Sequence, residues 1–229
     1  MSRSLLSFLS PYLSSVLVFS ALAFVPQWAI GSEVSYSLSQ PNSGLAAFPS
    51  PYGTVTIDVA SGGSSTATIT ATALSNSTFS YGFVDGGTVA LNTTALVTAF
   101  NVTSFTSPTG GTPTFSSSTG NEDGFGSFNF KLDQGNSSTP LTKVVFTITQ
   151  AGTWADASSV VTGNNSGNSV GGHLGAYANG DFNAMAASTG FANGDPVSSP
   201  EPSTMIIGLS SMFGLGMTRL VRRFRSQRA

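Results

Sequence analysis

Apolar and polar residues alternate with a period of two through the middle of the chain. Val34, Tyr36 and Leu38 are separated by serines, and Val55, Ile57 and Val59 by Thr56 and Asp58. Ala67, Ile69, Ala71 and Ala73 are interleaved with Thr66, Thr68, Thr70 and Thr72, and Phe79, Tyr81 and Phe83 lead into Asp85-Gly86-Gly87. Leu96 to Phe105, Phe125 to Leu132 and Lys143 to Gln150 continue the series. Period two places one set of side chains on each face of a strand, and the Gly, Pro and Asn between runs supply turns. Short strands with one wet face predict an all-β fold, an antiparallel β-sandwich or jelly roll. The Val55/Ile57/Val59 and Val144/Phe146/Ile148 sets should enter one core, with Thr56 and Thr147 outward. Ser107 to Gly120, carrying Pro108 and Pro113, reads as a long loop within a single domain.

Both ends depart from this pattern. Met1 to Gly31 has the layout of a secretory signal peptide: Arg3, an apolar stretch Val16 to Val25, then Pro26. Ala29 and Gly31 stand as small residues at the −3 and −1 positions before Ser32. At the other end, residues 200–229, Pro200-Glu201-Pro202-Ser203-Thr204 precedes an apolar run from Met205 to Thr218 and a tail with Arg219, Arg222, Arg223, Arg225 and Arg228. The run is about 14 residues, roughly 21 Å as a helix, against about 20 residues for a comfortable membrane span. A short transmembrane helix with a basic stop suits temporary anchoring, with the arginines kept inside. This order closely resembles the PEP-CTERM sorting signal. The resemblance implies an exported bacterial protein, anchored in the inner membrane as a precursor. An exosortase-type membrane protease then cuts it near the motif and releases it to the envelope or exopolysaccharide.

Composition sharpens the picture of residues 32–199. Lys131 and Lys143 stand against Glu33, Asp58, Asp85, Glu122, Asp123, Asp133, Asp156, Asp181 and Asp195, a net of −7 that the whole-chain −2 conceals. Two lysines cannot neutralise a run of phosphates, which argues against a nucleic-acid partner. The chain has no cysteine, so its stability comes from the core alone. The segments Gly124 to Phe130, Val144 to Thr149, Gly152-Thr153-Trp154, Gly172-His173-Leu174 and Thr189 to Ala192 resemble uncharacterised ectodomains found beside PEP-CTERM signals. That likeness implies a β-sandwich and no activity.

Candidate chemistry is sparse, and no catalytic, cofactor or metal residue is assigned. His173 is the single histidine, outside any Gly-x-Ser-x-Gly elbow, and reads as structural. One imidazole without a thiolate falls short of a zinc set. Asp58, Asp85, Glu122, Asp123 and Asp133 offer acids for glycoside cleavage, but most sit where Asp caps turns. Asn121 to Gly124 with Asp133 to Asn136 is oxygen-rich enough for calcium, though turn chemistry explains it as well. The Asn-x-Ser/Thr matches are expected by chance at this composition. Thr66, Thr68, Thr70 and Thr72 share a face that suits ice or sugar, but several such strands in register are needed and one is evident. These readings favour a structural or adhesive exported protein, not an enzyme. The alternative is a carbohydrate- or ice-binding module with a Thr-rich face. A secreted glycoside hydrolase comes last.

Overall fold

The computed structural model describes residues 31–135 and 139–197. The body is all-β and antiparallel. Its strands are β1 (Ser32–Pro41), β2 (Gly53–Val59), β3 (Ser64–Ala73), β4 (Phe79–Phe83), β5 (Val89–Leu91), β6 (Val97–Thr106), β7 (Phe115–Glu122), β8 (Gly126–Gln134), β9 (Lys143–Trp154), β10 (Val170–Ala178) and β11 (Ser188–Val197). They form one 11-stranded sheet in the order β6-β9-β3-β2-β1-β11-β10-β5-β8-β7, with β4 paired to β10 beside β5. Among the described residues no helix is long and apolar enough to cross a membrane. The signal peptide through Ile30 and the sorting signal lie outside the described residues.

The sheet curls because one face of nearly every strand is apolar. Val55, Ile57, Val59, Ala67, Ile69, Ala71, Val144, Phe146 and Ile148 are fully buried in one cluster with Leu38, Phe83, Leu91, Leu132 and Leu174. Removing this area from water is the main term holding a disulfide-free chain together. Thr56 and Thr147 alternate with these residues and stay partly exposed. Tyr52 and Tyr81 meet edge to face at 5.1 Å, and Trp154 is buried while its indole N–H donates to Thr94 Oγ1 at 3.2 Å.

Curling brings the two edge strands of the sheet to the same side. Phe105 of β6 lies 5.8 Å from Phe115 of β7, and Phe100 of β6 lies 6.3 Å from Phe130 of β8. The connection from β6 to β7 is residues 107–114. The predicted loop Ser107 to Gly120 is therefore too long: Phe115 onward pairs with β8, from Phe115 opposite Gln134 to Glu122 opposite Gly126. Serines and threonines give no apolar alternation there, but their backbone completes the ladder. Strand β6 bulges at Thr98 and Thr103, and each bulged hydroxyl donates to a β9 carbonyl, Thr149 and Val145, both at 3.1 Å.

Candidate functional site

Three surfaces stand out. The first is the outer face of β6, β9, β3, β2 and β1. Registers align Asn101, Thr147, Thr68, Asp58 and Glu33 in one row. Ser104, Val145, Thr70, Thr56 and Ser35 form the next, and Thr106, Lys143, Thr72, Thr54 and Ser37 a third. Rows are about 6.8 Å apart along the strands, and neighbours within a row about 4.8 Å apart. Ser35 and Thr56 hydroxyls meet at 2.8 Å, and Thr66 and Thr149 at 3.3 Å. The sequence showed threonines in a single strand. The structure sets them among hydroxyls of their neighbours, because β2 and β9 alternate in the same phase as β3 and flank it.

The second is a wedge between the two edge strands, a groove of about 640 Å³. Its walls include Leu96, Val97 and Phe100 on one side and Ser117, Thr119 and Phe130 on the other, with no charged residue in the lining.

The third lies beneath the β7–β8 hairpin tip. Val89 and Leu91 enter the main core, so Ala90 faces the outer side of the sheet. There it joins Phe125 and Phe128 of the hairpin in a small second cluster against Phe191. Asn164 and Asn168 side-chain amides both donate to the Phe125 carbonyl at 2.9 Å, and Asn42 donates to the Asp123 carboxylate at 3.2 Å. The tip therefore folds over β5, β10 and β11. Beneath it Glu122 is only 1% exposed; Lys131 Nζ lies 2.7 Å from its Oε1, and among the described residues no other donor reaches the carboxylate. Burial pushes this carboxyl up to about 7, against the opposing pull of Lys131 and reinforced by nearby Asp133.

His173 stacks on Phe191, ring centroids 4.4 Å apart. Its Nδ1 meets the Asp85 carbonyl, which only accepts, so Nδ1 carries the proton. Burial holds the imidazole below its usual value, partly offset by Asp85. The segments 124–130, 172–174 and 189–192, far apart in sequence, thus gather around one aromatic cluster. Sequence reasoning gave the Glu122–Lys131 pair no role. The hint available was a lone lysine within a strand and an acid beside the Asp-Gly turn.

The remaining candidates are dispersed. Asp58 is exposed on β2, Asp85 accepts from the Gly86 amide, and Asp133 accepts from Ser118. No group of three or more His, Asp or Glu among the described residues is placed to hold a metal ion. Asn76 and Asn164 of the Asn-x-Ser/Thr matches accept from nearby turn and loop amides, and the Asn92 side chain donates to the Thr162 carbonyl. Ser32 opens β1, and its hydroxyl accepts from the Ala157 amide at 2.6 Å. Gly31 packs against the Val59 carbonyl, while Ala29, Pro200 to Thr204 and the five tail arginines lie outside the described residues. No protein-family model, curated protein or solved structure matches the chain.

Proposed function

We propose that this chain is an exported bacterial envelope protein. A signal helix and a short C-terminal transmembrane helix flank its antiparallel body, a β-sandwich in the broad sense. An exosortase-type protease cuts near Pro200, and the released body plays a structural or adhesive part in the envelope or exopolysaccharide. The PEPST motif, apolar run and arginine cluster support the sorting half. The observation that carries the adhesive half is the hydroxyl-rich outer face: broad, regular, and formed by five neighbouring strands. Such a face offers many hydroxyl donors and acceptors, its charges in these rows confined to Glu33 and Asp58 on β1 and β2 and Lys143 on β9, which suits a repeating, largely neutral surface.

The test uses the full chain in a host with the matching protease. The Pro200→Ala/Glu201→Ala/Pro202→Ala variant should accumulate as an uncut membrane precursor while the parent is trimmed. Parent-like trimming of the variant rejects the sorting reading. Thr68→Lys with Thr147→Lys, neighbours across β3 and β9, should leave processing intact and lower the matrix-bound fraction several-fold. An unchanged fraction rejects adhesion through this face.

The same rows favour a second reading, a dedicated module for ice or an extended neutral polysaccharide. It requires the parent to shape ice crystals or be retained on the host's purified polysaccharide, with either effect lost in the lysine variant. Parent protein doing neither removes it.

A further inference from the structure

The open side of the rolled sheet is the other feature without an explanation. β6 and β7 are consecutive in the chain, and consecutive strands ordinarily lie side by side. Here they stand at opposite ends of the sheet order, so each has a ladder partner on one side alone among the described residues. Their outer backbone N–H and C=O groups line up along the wedge, and such an edge is a template for another strand.

Edges are commonly guarded by lysine, inward charges or proline. Of these guards the edge strands carry only Glu122, the buried last residue of β7, where it is paired with Lys131 at the hairpin end; from Gly86 to Asn121 no residue is charged, and Pro108 and Pro113 fall in the connection rather than in the strands. Bulges at Thr98 and Thr103 bend β6, but their hydroxyls satisfy β9 and add no charge to the free side. Apolar surface is also present. Leu96 is 81% exposed and Phe105 37%, both on this side.

We infer that a second copy of this chain occupies the open side, related by a twofold axis that sets β6 against β6 of the partner and β7 against β7 of the partner. Three considerations select a copy over a loose peptide. A single inserted strand need satisfy only one wall, whereas a copy brings both edges together. A twofold makes both new pairings antiparallel, matching every other pairing in the sheet, and closes the assembly at a dimer. Charge points the same way: two bodies of net −7 repel, and this approach keeps Glu33, Asp58 and Asp195 on β1, β2 and β11, midway round the sheet from the contact. The nearest charges are of both signs: Glu122 at the end of β7 is paired with Lys131 of β8, Asp133 lies on β8, and Lys143 stands beside Thr106. Leu96 and Phe105 then enter a shared interior.

The chain's lack of cysteine makes the test clean. Single cysteines are placed in the full chain, in mild detergent, at each position from Thr98 to Ser104, and oxidised. A disulfide needs Cα atoms about 4.4–6.8 Å apart, so only positions beside the axis should yield covalent dimer, and Thr68→Cys on the hydroxyl face should yield none. The parent should sediment as a dimer. Asn101→Lys with Ser104→Lys should raise its dissociation constant about tenfold or more, with the circular dichroism unchanged. If the lysines unfold the body, the cysteine scan, in which Thr103 and Ser104 are replaced near-isosterically, decides alone. A monomer at every concentration overturns the proposal, as does crosslinking through Thr68→Cys but not β6. So does a dimer that survives the lysines and crosslinks nowhere on β6, which would be held by its terminal segments. A monomer carrying a peptide or saccharide in the wedge overturns it too.

Discussion

At the residue scale the unusual position is Glu122. Its carboxylate is enclosed by the hairpin tip, Lys131 and Gly87, where any side chain would collide with it and φ is +106°. Because burial raises its folded value to about 7 from 4.5, the folded body holds this proton more tightly than the unfolded chain. The associated stability is complete below pH 4.5 and disappears as pH rises through about 7, a loss of roughly 3 kcal/mol. His173 acts oppositely: its lowered value contributes stability above its unfolded range that is lost on acidification. The two are separated by substitution. Glu122→Gln should flatten the decline in urea midpoint between pH 5 and pH 8 while lowering stability overall by leaving Lys131 unpaired. A decline as steep as the parent's would show that another group is responsible. None of this was legible in the sequence, where Glu122 is one acid of an Asn-Glu-Asp-Gly turn; enclosure depends on where the hairpin lands.

At the element scale, legibility follows the wetness of the second face. β2, β3 and β9 keep one face in water, so their alternation survives in the residues and predicts both strand and core side. β5 and β10 are buried on both faces, by the core within and the hairpin tip or neighbouring loops without. Their Val-Ala-Leu and glycine-rich Val170–Ala178 sequences carry no alternation to read, and β7 hides for the opposite reason, being polar on both sides. The hairpin tip that creates this difference is held by little: Phe125, Phe128, three asparagines and the buried ion pair. Phe125→Ala should cost about 3 kcal/mol if the tip is fully coupled to the body. Hydrogen exchange distinguishes the coupling. Amides of residues 121–128 should exchange faster while those of β2, β3 and β9 remain protected, and uniform loss of protection would mean that the tip is integral to the core.

At the scale of the whole molecule, sequence pattern predicted an antiparallel β body but not how its strands are ordered. Threonine phase within one strand is local, whereas the hydroxyl rows and the wedge depend on which strands are neighbours and which are edges. The order also fixes where the chain enters and leaves. β1 and β11 lie side by side midway round the sheet, with Ser35 opposite Val197 and Pro41 opposite Ala192. The start of one and the end of the other thus share one margin of the sheet. Tension applied between them meets the ladder rungs singly, from Val197 inward, and not all together, because antiparallel bonds run perpendicular to the strands. The body is therefore a zipper when stretched between its own ends. Held through one end, it carries no such load on that seam. Severance near Pro200 would take the pull off the rung where peeling begins.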